Sequence, residues 1–425
     1  MRALYSLAWW LALPMVLTRL WWRGRKEPGY RRHIAERLGF YSHPRSARPA
    51  IWVHAVSVGE TRAAQPLIDA LLAAYPDHDI LLTHMTATGR ETGAVLFGHL
   101  APKITQCFLP YDTGWMVSRF LRHFSPRICI LMETEIWPNL IAQCQLHLIP
   151  VALVNARMSE RSLSRARFAT SLMTEAAAGL ACVAAQTPAD GERLRQYGAV
   201  NVQVTGSVKF DVSPPEASLS LGQWLRSRMG SRPVLLCAST REGEEALLLD
   251  ALSGLTVQGV LLVMVPRHPQ RFDVVAQLIA EREISFCRRS LLNDNDLVPP
   301  GARVLLGDSM GEMFAYYAAC DVAFIGGSLL PLGGQNLIEA CAVGKPVLIG
   351  PHTFNFAAVT EDAVTAAAAI RVVSAEEMMQ QASRLLTDAD LRRRMAENAL
   401  SFATEQRGGT ERTMELLRPL IERHP

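Results

Sequence analysis

Short apolar, β-branched runs recur along the chain, each followed by a polar turn and then by a stretch of helical period. In the first half these runs occupy residues 51–56, 80–83, 104–109, 128–132, 151–154, 182–185 and 202–205, with helix-period segments such as 61–74 and 114–124 between them. Nearly continuous apolar strands alternating with amphipathic helices predict a parallel, doubly wound sheet covered on both faces. Residues 211–220 (DVSPPEASLS) break the pattern with paired prolines and small polar residues, which predicts a linker. The alternation restarts at 234–238, 260–265, 284–287, 304–306, 322–325 and 346–349, and residues 375–423 read as largely helical. The expected organisation is an α/β chain with two Rossmann-like domains: residues 23–210, the linker 211–220, and residues 221–425 carrying the final helices. Two such lobes leave a cleft facing the carboxyl ends of both sheets, where folds of this kind bind ligands.

The first twenty-two residues depart from this alternation and predict a membrane anchor. Residues 3–18 form an uncharged, mostly apolar run of roughly 16 residues, at the lower edge of the ~17–25 needed to span a bilayer. Trp9, Trp10, Trp21 and Trp22 are suited to the interface. The basic flank Arg19, Arg23, Arg25, Lys26, Arg31 and Arg32 predicts a main body in the cytoplasm. Because the charge follows the apolar run and no small-x-small site closes it, a cleaved signal peptide is disfavoured. A buried core helix is the plain alternative, and a spanning signal anchor and an in-plane helix fit equally well. Deletion of residues 1–22 is predicted to release the protein to the soluble fraction.

Composition narrows the functional classes. The 425 residues are 49% hydrophobic and 20% charged, as expected of folded domains too long for one core. Mean hydropathy is +0.11, raised in part by the apolar N-terminus. A net charge of +3 carries no global signal for nucleic acid. The eight cysteines include no CxxC pair and several lie within apolar runs, so they read as reduced core residues. Without HExxH or HxxxH a protein-built metal centre is not expected, and no cofactor is called for.

Five constellations carry chemistry. In VHAVSVGE (53–60) a strand ends, Ser57 and Gly59 turn the chain, and Glu60 starts a helix whose dipole favours an ionised carboxylate suited to take a proton from an attacking hydroxyl. In METEIWPN (132–139) Glu133 and Glu135 occupy the same rim position after the next strand; Glu133 is placed to orient a partner or a sugar hydroxyl, and an exposed acidic loop is the alternative. In VTGSVKFD (204–211) Gly206 permits a tight turn and Lys209 is placed to meet a phosphate, although a lone lysine there is ordinarily solvated. VMVPRHPQR (263–271) frames Arg267 and His268 between prolines, a stiff loop suited to bidentate phosphate contact. Gly326–Gly327–Ser328 followed by PLGGQNLIE (331–339) brings backbone N–H groups to a helix start, with Glu339 placed for ribose hydroxyls, and GDSMGE (307–312) adds a second turn. There is no GxxxxGK[ST], and the DND string at 294–296 reads as a turn.

Taken together, IWVHAVSVGE, METEIWPN, VNARMSERS, VTGSVKFD, VPRHP, GDSMGE, FIGGSL, GGQNLIEA and GPHTFNF resemble, in order and spacing, the 3-deoxy-D-manno-octulosonic acid (Kdo) transferases of lipopolysaccharide synthesis. The resemblance covers nearly the whole chain. It implies a GT-B fold, the donor CMP-Kdo, a lipid A precursor as acceptor at the cytoplasmic face of the inner membrane, and neither metal nor nucleic acid. By the family's pattern Glu60 is the general base, Glu133 and Lys209 support the transition state, and the CMP pocket draws on Pro266, Arg267, Met310, Gly311, Glu312, Asn336, Leu337, Ile338 and Glu339. A sugar-nucleotide epimerase on the same fold, or an inactive membrane-tethered binding module, are the alternatives. The number of Kdo residues added is not legible.

Overall fold

The computed structural model describes residues 1–25, 27–43, 46–160, 170–294 and 296–422. Lys26 of the basic flank, the last two residues of VNARMSERS, the middle of the DND string and the end of the predicted C-terminal helices lie outside the described residues. The chain forms two compact units, Met1–Asp211 with Arg407–Pro425, and Val212–Gln406.

Each unit holds a seven-stranded parallel sheet. In unit 1 the strands are β1 (Ala50–His54), β2 (Asp79–His84), β3 (Ile104–Phe108), β4 (Ile128–Met132), β5 (Val151–Ala156), β6 (Cys182–Ala185) and β7 (Val202–Val204), in the order β3-β2-β1-β4-β5-β6-β7. In unit 2 they are β8 (Val234–Thr240), β9 (Leu261–Pro266), β10 (Phe286–Arg288), β11 (Val304–Leu306), β12 (Val322–Ile325), β13 (Val347–Ile349) and β14 (Ala369–Arg371), in the order β10-β11-β9-β8-β12-β13-β14. The continuous apolar runs follow from burial on both faces. In β1, Trp52 joins one core cluster while Ile51 and Val53 join the cluster on the opposite face. The order reverses between β1 and β4 in unit 1 and between β8 and β12 in unit 2, so loops after those strands flank a crevice in each sheet.

Three details differ from the sequence expectation. The segment read as linker is only half extended, because the helix Glu216–Met229 starts directly after the paired prolines. The expected helix 61–74 is two helices, Val58–Ala63 and Gln65–Ala74, with Pro66 opening the second. The final helix, Gly409–Glu422, follows the second domain in the chain, yet it belongs to unit 1. Its apolar stripe of Met414, Leu417 and Ile421 enters the core built on Ile51, Leu67 and Leu71. Its entry is fixed by Asp211, whose carboxylate accepts the backbone N–H groups of Gly408 (2.6 Å) and Thr410. Gly409 has no room for a side chain, since a Cβ there would meet the Ser207 backbone at 2.9 Å.

The N-terminal segment is one helix, Arg2–Arg23, long and apolar enough to cross a membrane. None of its residues is fully buried, but Tyr5, Ser6, Trp9, Leu13, Val16 and Leu20 are half-buried at helical spacing. The reading as a buried core helix is therefore not met.

Candidate active site

In unit 1 the site is built where β1 and β4 end. Ser57 caps the helix Val58–Ala63, its Oγ accepting the Glu60 N–H at 3.4 Å. Gly59 lies within that helix, so Ser57 alone makes the turn. The Glu60 carboxylate folds back over the cap, accepting the Val56 N–H (2.8 Å) and the Ser57 hydroxyl (3.0 Å), an arrangement close to a capping box. Each carboxylate oxygen keeps a lone pair for a further donor.

The expectation of a dipole-ionised Glu60 is corrected by its surroundings. Burial pushes its carboxyl up to about 7; the Val56 N–H opposes that shift, and the Glu135 and Glu133 carboxylates add to it. A helix of six residues offers only a small dipole to counter desolvation. At neutral pH Glu60 is thus divided between its two forms.

Glu133 is buried, not part of an exposed acidic loop. It takes a left-handed backbone (φ 61°), uncommon for a side chain of this size. That conformation turns its carboxylate between Lys209 Nζ (2.7 Å) and the Arg157 guanidinium (3.1 Å). Glu135 accepts the Trp137 indole N–H at 2.7 Å, and burial raises its carboxyl as well. Lys209 is held by Glu133 and is not a solvated surface lysine. Its turn, Val208–Phe210, rests on the buried Asn155, whose Oδ1 accepts the Ser207 hydroxyl (3.0 Å) and the Val208 N–H (3.3 Å). Asn155 also has a positive φ (50°). Gly206 makes the preceding turn at φ 83°, as its sequence position predicts.

In unit 2 a buried carboxylate organises the glycine turn. Glu244, fully buried, accepts the backbone N–H groups of Arg241 (3.0 Å), Gly327 and Leu329 (2.9 Å). This joins the loops after β8 and β12 across the point where the strand order reverses. Gly326 is required by packing, since a Cβ would sit 2.6 Å from the Ser239 carbonyl. Pro266 ends β9 and is buried, and the Arg267 N–H donates to the Thr240 carbonyl (2.9 Å). Burial lowers the His268 pKa, and Arg241, Arg267 and Arg271 lower it further, which marks a concentration of positive charge at this rim. Arg271 is tied to the buried Glu245 at 3.2 Å.

The remaining predicted residues divide by what they expose. Glu312 is gripped by Arg289 through two bonds of 3.1 Å and by the Ser309 hydroxyl. Met310 projects outward, and Gly311 takes φ 80° between them. Leu337 and Ile338 are fully buried, so only their backbones can face a ligand. The helix that follows, Ile338–Ala342, is a single short turn, and the Ile338 N–H is already taken by Asn336 Oδ1 (3.0 Å). The anion site expected at that helix start is therefore weaker than the glycines suggested. Asn336 also donates to Glu339 (3.2 Å), and the buried Tyr317 lies in the field of both Glu339 and Arg267. Among the described residues no group of three His, Cys, Asp or Glu side chains is placed to hold a metal.

Sequence reasoning did not assign Asn155, Arg157, Arg241, Glu244 or Arg289. Asn155 and Arg157 stand inside VNARMSERS, a motif given no role. Glu244 lies in REGEE (241–245) directly after a strand, a position as informative as that of Glu60.

A family profile described as 3-deoxy-D-manno-octulosonic-acid transferase (kdotransferase) matches residues 32–212, and one for glycosyl transferases group 1 matches residues 289–402. The chain is 44% identical to the 3-deoxy-D-manno-octulosonic acid transferase of Bordetella pertussis, over 98% of both chains. It is 35% identical to the transferase of the same description from Haemophilus influenzae, over 100% of this chain and 99% of that one. Among solved structures, UDP-GlcNAc 2-epimerase from Neisseria meningitidis matches with a TM-score of 0.58 at 16% identity, covering 87% of this chain and 99% of its own. A glycosyltransferase from Rickettsia africae gives a TM-score of 0.58 at 13% identity, over 89% and 100%. At these identities the likeness is one of fold alone.

Proposed function

Because the chain belongs to the 3-deoxy-D-manno-octulosonic acid transferase family, we propose that it moves Kdo from CMP-Kdo to a hydroxyl of a lipid A precursor, with inversion and with Glu60 as general base. It is a glycosyltransferase, and its full-length kinship with transferases sets the epimerase reading aside. Glu60 takes the acceptor's hydroxyl proton, the freed oxygen bonds to the anomeric carbon, and the bond from that carbon to the CMP phosphate breaks. The leaving phosphate's charge falls to the Arg241, Arg267 and Arg271 cluster rather than to a divalent ion. Lys209 and Arg157 fix the Glu133 carboxylate beside Glu60, which supports the transition state on the acceptor side. Glu339 and Asn336 serve the ribose and sugar hydroxyls, and Glu312 acts by fixing Arg289. Each unit carries a parallel α/β sheet of the kind a GT-B enzyme uses, with the acceptor handled by unit 1 and CMP-Kdo by unit 2.

The lipid acceptor calls for a membrane location, and the apolar helix Arg2–Arg23 is the segment suited to hold the protein at the cytoplasmic face of the inner membrane. The observation that carries the base assignment is the Glu60 carboxyl, poised near neutrality where the strand order reverses. Glu60→Ala should abolish transfer while CMP-Kdo binding, followed by calorimetry, persists. Substantial residual turnover removes Glu60 from this role.

A further inference from the structure

A helix of 22 residues is ~33 Å long, close to the ~30 Å hydrocarbon core of a bilayer. If it crossed the membrane, its two ends would stand on opposite sides. In this protein both ends touch the same folded unit. At the start, Arg2 pairs with Glu175 at 3.2 Å, and Asn139 donates to the Ser6 hydroxyl at 3.0 Å. Trp9 stacks on Tyr111 with ring centroids 5.6 Å apart. At the far end, the Arg31 guanidinium donates to the Trp21 carbonyl at 3.0 and 3.1 Å, and Arg23 lies 4.4 Å over the Tyr30 ring. The half-buried stripe from Tyr5 to Leu20 runs the length of the helix between these contacts. No bilayer fits between a helix and a domain along which it lies.

The opposite face is apolar and uncovered. Leu4, Leu7, Leu11 and Met15 follow one another at helical spacing and are 66%, 54%, 75% and 70% exposed. The surface continues beyond the helix. Trp10 meets Trp115 at 6.4 Å between centroids, Trp115 meets Phe40 edge-on at 5.9 Å, and all three are exposed. The Arg119 guanidinium covers both Phe40 (4.3 Å) and Trp115 (4.9 Å), and Arg31 covers Trp21 (4.2 Å). Arginines stacked on aromatic rings at the edge of an apolar plane suit the headgroup layer, where the ring sits at the hydrocarbon boundary and the cation meets phosphate.

We propose that the N-terminal helix lies in the plane of the membrane, docked lengthwise on unit 1. Leu4, Leu7, Leu11 and Met15 then form with Trp10, Trp115 and Phe40 one continuous surface for an anionic bilayer. This rests on the membrane location argued above and decides its geometry: the protein enters one leaflet and does not cross it. The area beyond the helix distinguishes this from a simple tether, because Trp115 and Phe40 come from elsewhere in the chain.

An epitope tag placed before Met1 of the full-length protein tests the topology. The tag should be cut by protease in inverted inner-membrane vesicles and survive in intact spheroplasts. Cleavage in spheroplasts alone means that the helix spans, and overturns the proposal. Binding of the purified protein to phosphatidylethanolamine vesicles containing roughly one quarter phosphatidylglycerol tests the surface. Leu7→Glu with Leu11→Glu should weaken binding by about tenfold or more. Trp115→Ala with Phe40→Ala should weaken it severalfold, with unfolding midpoints unchanged in both. Indifference to Trp115 and Phe40 overturns the shared plane. A wild-type protein that ignores vesicles and self-associates through this face fails the membrane location itself, whereas CMP release on a water-soluble acceptor reads the transfer reaction independently of either.

Discussion

Replacing Glu60 by glutamine separates its proposed chemistry from its structural role as a cap. The carboxyl titrates at about 7 against an ordinary value of 4.5, because burial raises it and its hydrogen bonds only partly compensate. The sign follows from the upward shift: the favourable contribution of the protonated form is present below about 4.5 and is lost as pH rises through about 7. Above that pH the folded protein carries an ionised, half-buried carboxylate. At ~1.4 kcal/mol per pH unit, with a discount for residual hydration, the penalty is about 2–3 kcal/mol. Glutamine cannot ionise. Glu60→Gln should therefore be more stable than the parent by about 2 kcal/mol at pH 8.5 and nearly equal to it at pH 5, as measured by urea unfolding. The same variant should lose about 10²–10⁴ in turnover, the usual worth of a positioned base. For the parent, kcat/KM measured by CMP release should rise with pH and level off above about 7, because the base works deprotonated. A flat profile, or a variant retaining a tenth of the activity, refutes the base assignment. A stability difference equal at both pH values refutes the buried-carboxylate reasoning behind it.

Other outcomes follow from neighbouring features. Glu133→Gln removes the charge that holds Lys209 and Arg157 and should cost about 10–10² in turnover through kcat, with CMP affinity in calorimetry unchanged. Glu244→Ala strands three backbone N–H groups and should destabilise unit 2 by about 3 kcal/mol in thermal unfolding, with CMP binding weakened by more than the folded fraction explains. Leu417→Ala should cost about 2–4 kcal/mol in unit 1, seen as the earlier of two unfolding transitions, and leave CMP binding in unit 2 intact. Turnover should be unaffected by EDTA, since arginines are assigned the leaving group's charge; loss restored by Mg²⁺ would contradict that assignment.

Much of the fold was legible because both faces of each sheet are covered, which writes strands such as Ile128–Met132 and Val322–Ile325 as unbroken apolar runs bounded by polar turns. β14 (Ala369–Arg371) escaped, being three residues long and set in an alanine-rich stretch whose composition favours helix over strand. The placement of Gly409–Glu422 escaped for a different reason. Its amphipathic stripe says that it packs, but the surface it packs on lies more than three hundred residues earlier in the chain. The same distinction governs the site. Glu60, Glu133 and Lys209 stand at strand ends that sequence can locate. The residues that prepare them act across strands: Arg157 on Glu133, Asn155 under Lys209, Glu244 on the glycine turn. Local pattern carries no record of such pairings. The protonation of Glu60 is illegible for a related reason, because helix position is local while desolvation is a property of the whole neighbourhood.

The clamp that Asp211 makes on Gly408 and Thr410 bears on how the protein is made. In chain terms residues 212–406 are an insertion between two parts of unit 1. Seven strands of unit 1 emerge first from the ribosome, yet the helix that covers Leu67 and Leu71 emerges among the last residues. Unit 2 has all its residues available earlier and can fold while unit 1 still waits with one apolar face bare. The half that carries Glu60 is thus begun first and finished last, and a chain stopped just short of Gly409 would hold a folded second unit beside an unclosed first one.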